Sequence, residues 1–168
     1  MIRIFLVFAL LASSLVQAGE VVSEARLKAG FLANFMQFVR WPASPASLAL
    51  CGFGADDGGD AIDLLRKSEL RGVSLTLRRL RGVEDIAGCQ AVFIDAAHAG
   101  RLSAMLDASR GRPILIITEF DGGAPLGAMI SLVPTGAGRL GFDVNLTAAQ
   151  AAGLSINTRL LQLARRVY

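Results

Sequence analysis

The sequence predicts one α/β domain, with a mostly parallel sheet of five to six strands flanked by helices and a β-hairpin and closing helix at its C-terminal end. Three observations lead there. From Leu48 to Thr118, short apolar runs alternate with stretches of helical periodicity. Two of those runs, Ala91-Val-Phe-Ile94 and Pro113-Ile-Leu-Ile-Ile-Thr118, are apolar at successive positions, as strands covered on both faces are. After Thr118 the alternation stops, and two apolar runs flank a turn at Pro134–Gly138.

The elements follow in order. Ser23 can cap a helix from about Glu24 to Arg40, because Ala25, Ala29, Phe31, Leu32, Phe35, Met36, Phe38 and Val39 recur at steps of three and four. Pro42 and Pro45 end it. Leu48–Phe53 is a short buried strand, 54–59 a loop, and Asp60 caps a helix over 61–68. Val73-Ser-Leu-Thr-Leu-Arg78 alternates with period two, which predicts a half-buried strand. A turn or short helix over Val83–Ala87 precedes the strand Ala91–Ile94. Arg101–Ser109 reads as a helix with Leu102, Met105 and Leu106 on one face, and Pro113–Thr118 is the fourth strand of the parallel set. Ala128–Val133 and Arg139–Val144 form the hairpin. Thr147-Ala-Ala-Gln150 has the form of a capping box opening a short helix that Gly153 stops. Ser155 caps a last helix that turns Ile156, Leu160, Leu161, Ala164 and Val167 inward.

Residues 1–18 read as a secretory leader. Arg3 supplies the positive start, Ile4–Ala12 the apolar stretch, and Val16-Gln-Ala18 a site for cleavage before Gly19. The apolar stretch is too short to span a bilayer, which takes about 20 residues. The expectation is therefore a soluble, exported domain over residues 19–168, in a compartment where disulfides persist. Only two cysteines are present, Cys51 and Cys89, and an even pair in an exported chain points to one bridge, with two buried thiols as the other arrangement. The net charge is +3 and the arginine clusters, Arg78-Arg79-x-Arg81 and Arg165-Arg166, are short. That falls short of the dense basic stripe of a nucleic-acid binder.

Catalytic patterns are weak. Gly52-Phe-Gly54 followed by Gly58-Gly59 lacks the third glycine of a dinucleotide loop, and Asp56 and Asp57 would face the pyrophosphate. There is no phosphate-binding Gly-x-x-x-x-Gly-Lys loop and no Gly-x-Ser-x-Gly elbow. His98 is the only imidazole, and pairing it with a Cys51 nucleophile conflicts with the place of Cys51 in an apolar strand. Two thiols and one histidine have no ligand spacing, and Asp56, Asp57 and Asp60 do not match a calcium loop. The expectation is a binding or regulatory domain, not an enzyme, with no cofactor and no metal.

Several segments together carry a resemblance: Lys28-Ala-Gly-Phe-Leu-Ala-Asn-Phe-Met-Gln-Phe-Val-Arg-Trp-Pro42, Leu50-Cys-Gly-Phe-Gly54, Gly88-Cys-Gln-Ala-Val-Phe-Ile94, Phe142-Asp-Val-Asn-Leu146 and Ala152–Ala164. In this order, after an exported leader, the chain resembles the YfiR family of periplasmic proteins over essentially its whole mature length. The resemblance implies a repressor that holds the periplasmic sensor part of an inner-membrane diguanylate cyclase inactive, lowering cyclic-di-GMP and biofilm output. It implies sequestration by an OmpA-like outer-membrane lipoprotein, a homodimer, and a bridge between Cys51 and Cys89. The second bridge of the namesake has no cysteines here. The alternative reading is a periplasmic small-molecule-binding module serving another membrane sensor.

Two groups of side chains are candidates for contacts. Phe31, Phe35 and Phe38 on the first helix, with the loop Phe120–Leu126, could anchor a partner, although a greasy stripe of this kind also suits a core. Arg40, Asn145 and Arg159 stand at element ends and would bind a small anion if those ends converge.

Overall fold

The computed structural model describes residues 24–53, 65, 74–136 and 138–168. The leader and the glycine-rich loop lie outside the described residues, as does the helix expected over 61–68 apart from Leu65, which is helical and buried.

Helix α1 (Glu24–Phe38) is amphipathic as its spacing demands, burying Ala29, Leu32, Phe35 and Met36. It ends two residues earlier than the periodicity predicts. Val39 and Arg40 leave it as a short strand, β1, paired antiparallel with β8 (Ser155–Ile156) in the register Val39↔Ile156 and Arg40↔Ser155. Pro42 disfavours helical backbone at the residue before it, so the chain is already extending here.

The main sheet contains β2 (Ser47–Phe53), β3 (Ser74–Leu80), β4 (Ala91–Ile94), β5 (Leu115–Thr118), β6 (Ile130–Gly136), β7 (Arg139–Val144) and β9 (Arg166–Val167). Their spatial order is β3-β2-β4-β5-β6-β7-β9. The first five run parallel and β6–β7 is the antiparallel hairpin. β4 and β5 are buried at every position, the outcome their unbroken apolar runs predict. The chain runs outward from β2 to β3, then crosses back over β2 to β4, so the direction of winding reverses between β2 and β4.

Because side chains alternate across a strand, the sheet builds two cores. One face packs Leu48, Leu50, Phe93, Leu115, Ile117, Ile130 and Leu132 against α1, α3 (Leu146–Ala151) and α4 (Thr158–Leu163). The other packs Ala49, Cys51, Phe53, Val92, Ile94 and Ile116 against α2 (Leu102–Ser109) and the 3-10 turn Val83–Ile86.

The C-terminal end departs most from expectation. The closing helix stops at Leu163, and the chain returns as β9, parallel to β7 in the register Asp143↔Arg166 and Val144↔Val167. Arg165 N donates to Phe142 O at 2.8 Å and Tyr168 N to Val144 O at 2.8 Å, so the last residues satisfy the open edge of the hairpin instead of a further helical turn. This makes seven strands in place of five or six. The expected caps shift too. Asn145, not Thr147, caps α3, its Oδ1 accepting from Ala148 N at 2.8 Å. Asn157, not Ser155, caps α4, accepting from Arg159 N at 2.9 Å, because Ser155 is committed to β8.

One ion pair ties α1 to the sheet. Lys28 Nζ meets Glu119, the residue after β5, and also Glu24 Oε1 at 2.8 Å. The Lys28 side chain is 15% exposed and that of Glu119 11%. Burial pushes the Glu119 carboxyl above its ordinary value against the pull of Lys28, with Glu24 and Asp95 adding to the rise. Burial lowers Lys28, but its hydrogen bonds to Glu119 and Glu24 more than offset this and hold it charged. A carboxyl raised in the folded state contributes stability that is full below its unfolded pKa and is lost as pH rises through the folded one. Lys28→Met removes the groups' mutual attraction and lets the Glu119 carboxyl climb further. The variant is expected to lose about 2 kcal/mol at pH 7, less than the ~3–5 of a fully enclosed pair, and clearly less at pH 5. Urea denaturation across that range checks this, and a loss independent of pH would contradict it.

Candidate functional site

Three of the segments that carry the family resemblance, at Trp41-Pro42, Cys51 and Gly88–Gln90, meet around the start of β4. Cys51 lies within β2, in register with Arg78 on β3 and Val92 on β4, and Cys89 stands two residues before the start of β4. The two form a disulfide with their Cα atoms 6.0 Å apart, and both sulfurs' residues are buried. The bridge therefore closes across neighbouring parallel strands. Gly88 turns the chain into it at φ +80°, a backbone favouring glycine, while Arg78 Nη1 donates to Ala87 O at 2.7 Å and holds the turn from the edge strand.

Gln90 then joins three segments. Its side-chain Oε1 accepts from Ala49 N at 2.7 Å, and its backbone O accepts from Trp41 Nε1 at 3.1 Å and from Leu115 N at 2.9 Å. Trp41-Pro42 and Gly88-Cys-Gln90 thus form a single structural unit. Beside it lies an open, largely apolar groove of about 370 Å³ whose walls include Trp41, Pro42, Pro45, Ile86, Cys89 and Pro113.

This arrangement has no free thiol to offer, since Cys51 is spent in the bridge. The weighed Cys51–His98 pair is thereby excluded in the oxidised protein. His98 Nδ1 instead lies 2.7 Å from Asp95 Oδ1, a buried carboxylate that also accepts from His98 N at 2.9 Å. No group of three or more His, Cys, Asp or Glu side chains among the described residues is placed to hold a metal ion.

The candidate contact residues divide. Phe35 is fully enclosed, its ring 5.1 Å from that of Phe142 and 5.9 Å from that of Phe31. It is a core residue and presents nothing to a partner, because its position on α1 points at the sheet. Phe31 and Phe38 are half-buried against the same core. In the loop Phe120–Leu126, Phe120 packs on the opposite core while Leu126 is 67% exposed. Leu163 and Tyr168, which the periodicity did not single out, are also exposed at the C-terminal edge, and so is Val167, which the periodicity turns inward but which lies on the edge strand β9 instead.

Arg40 and Arg159 are both exposed and stand on adjoining segments. Arg40 pairs through its backbone with Ser155, and Asn157 N donates to Phe38 O at 2.9 Å just before α4. Asn145 is engaged elsewhere, since its Nδ2 donates to Ala124 O at 2.9 Å while its Oδ1 caps α3. Its amide holds the loop after β5 against α3, which accounts for its place in the Phe142–Leu146 segment. A polar cluster beneath that loop also escaped sequence analysis. Thr118 Oγ1 and Ser131 Oγ are 2.8 Å apart, and Asp143, 1% exposed, faces Arg165 Nε at 3.5 Å.

The sequence matches the family described as YfiR/HmsC-like over residues 25–165. The chain belongs to the YfiR/HmsC-like family. The bridge and the Trp41–Gln90 contact described above sit inside the matched span, and no helix among the described residues is long and apolar enough to cross a membrane.

Two solved structures share the fold. One is an ABC domain in complex with L-Trp from Streptococcus pneumonia, at 12% identity and a TM-score of 0.59. The other is a conserved domain protein from Vibrio cholerae, at 14% identity and 0.61. Each match covers 84% of this chain and 60% of the other, so the YfiR/HmsC-like chain spans under two thirds of either.

Proposed function

We propose that this YfiR/HmsC-like protein represses an inner-membrane diguanylate cyclase by binding the cyclase's periplasmic sensor region. Family membership over residues 25–165 carries the reading. The buried Cys51–Cys89 bridge supports it, because such bonds persist in oxidising compartments and not in the cytoplasm. The leader read at residues 1–18 points the same way.

No chemistry on a substrate is required. A protein that binds the inactive conformation of a sensor shifts its population by the difference in affinity between the two conformations, and by nothing else. The domain suits that task as a folded body whose sheet is pinned by a covalent bridge. The exposed apolar side chains Leu126, Leu163, Val167 and Tyr168 are better candidates for protein contacts than the enclosed Phe35. Release by an OmpA-like outer-membrane lipoprotein, and a homodimer as the binding unit, complete the proposal.

Deleting the gene is expected to raise cellular cyclic-di-GMP and biofilm mass, and expression of the secreted protein in trans is expected to reverse both. An unchanged cyclic-di-GMP level in the deletion strain would overturn the repressor reading.

A further inference from the structure

The point where the chain reverses its direction of winding has a distinctive lining. In open α/β sheets, ligands settle outside the carboxyl ends of the strands where the winding reverses. Here that place lies beyond Phe53 of β2, Leu80 of β3 and Ile94 of β4. It is a hollow of about 450 Å³ lined by Phe53, Arg79, Leu80, Arg81, His98 and Arg101.

Phe53 forms its floor and is 5% exposed. The His98 ring stacks on it with centroids 5.7 Å apart, and the Arg101 guanidinium carbon lies 4.8 Å from the Phe53 centroid. Asp95 holds the His98 ring through Nδ1, which leaves Nε2 as its unengaged polar atom. Arg79 and Arg81, two residues apart at the end of the edge strand, line the same hollow. No carboxylate among the described residues forms an ion pair with Arg79, Arg81 or Arg101, whereas Arg110, at the end of α2, is paired with Asp107 at 2.6 Å.

Three like charges around one concavity repel each other, and an anion placed among them removes that cost. Guanidinium groups present planar forks of N–H donors that match oxyanions bidentately. From this geometry we infer an anion site in the hollow that takes a phosphate-class oxyanion, free or as the monoester of a small organic molecule. The volume exceeds the need of the oxyanion alone, and the apolar wall of Phe53 and Leu80 suits a carbon substituent. The site is separate from the candidate arginines Arg40 and Arg159, which stand at β1 and α4. It goes beyond the repressor proposal and does not rest on it, because binding is measured on the isolated protein without any cyclase.

The test is calorimetric titration of the purified mature protein at low ionic strength with inorganic phosphate and, separately, with phenyl phosphate. Saturable binding of either is expected. Arg81→Gln and Arg101→Gln should each weaken it about ten-fold or more, the loss of one charge-assisted contact. Both side chains are exposed, so the variants should keep the melting temperature of the parent. Arg110→Gln, outside the hollow, should bind as the parent does. Tighter binding of phenyl phosphate assigns the site to an organic monoester, and equal or weaker binding assigns it to the free anion. The inference is overturned if neither probe binds, if binding survives both Arg81→Gln and Arg101→Gln, or if it is lost with Arg159→Ala instead.

Discussion

Replacing Cys51 and Cys89 together by alanine is expected to lower the unfolding free energy by about 4 kcal/mol. The bridge joins residues 38 apart in sequence. Closing a loop of that size removes roughly 4 kcal/mol of conformational freedom from the unfolded chain in the entropy model of cross-links. A domain of this size has about 5–15 kcal/mol of stability in total, so the loss is a large share of it. In melting temperature it corresponds to roughly 8–16 °C. Alanine is the appropriate replacement, because both positions are buried among apolar neighbours and serine would bury hydroxyls there. The parent protein melted in excess reductant should fall toward the variant. If Arg78 and Gln90 hold the turn well enough alone, the change will be under about 1 kcal/mol, and the bridge then has no stabilising role. Such a destabilised domain should accumulate poorly in the cell, so under the proposed repressor role the double variant is also expected to raise cyclic-di-GMP.

The parallel sheet was legible because its strands obey one physical rule each. Ala91–Ile94 and Leu115–Thr118 are apolar on both faces and lie in the middle of the sheet, while Ser74-Leu-Thr-Leu77 alternates and lies at its edge. The two cysteines signalled their bond.

What escaped was decided by partners distant in sequence. Val39–Arg40 and Ser155–Ile156 are ordinary helix material until they meet, and only their pairing makes strands of them. Arg166–Val167 looked like the end of an amphipathic helix because Val167 fits the period. The open edge of β7 offered more hydrogen bonds than a last helical turn could. Asn145 and Asn157 displaced Thr147 and Ser155 as caps, since a cap is chosen by backbone conformation at the element's start and not by a motif in isolation. The cationic hollow was invisible for the same reason. Arg79 and Arg81 read as a short basic cluster and His98 as a lone loop histidine. The crossover of the chain back over β2 is what brings them to one side of Phe53.

Phe35→Ala separates the two roles that a greasy helix face can have. The ring is fully enclosed, meets Phe142 edge-on and Phe31 at a tilt, and has Leu32 and Met36 buried on the same face of α1. Truncating such a side chain costs the transfer of its ring to water plus the cavity it leaves, together about 3–5 kcal/mol. Phe31→Ala, at a half-buried position, should cost clearly less, about 1–2 kcal/mol. The measurement is urea denaturation of both variants beside the parent. A partner-contact role for Phe35 would give the opposite signature, with near-parental stability and lost repression of the cyclase. Leu163→Asp supplies the contrast, because its side chain is 71% exposed and its replacement should leave the fold's stability within about 0.5 kcal/mol. If Leu163→Asp raises cyclic-di-GMP at parental stability, the partner meets the domain at its C-terminal edge. Loss of stability in Phe35→Ala would then mean that α1 serves the proposed role from inside, by fixing the sheet on which that edge is built.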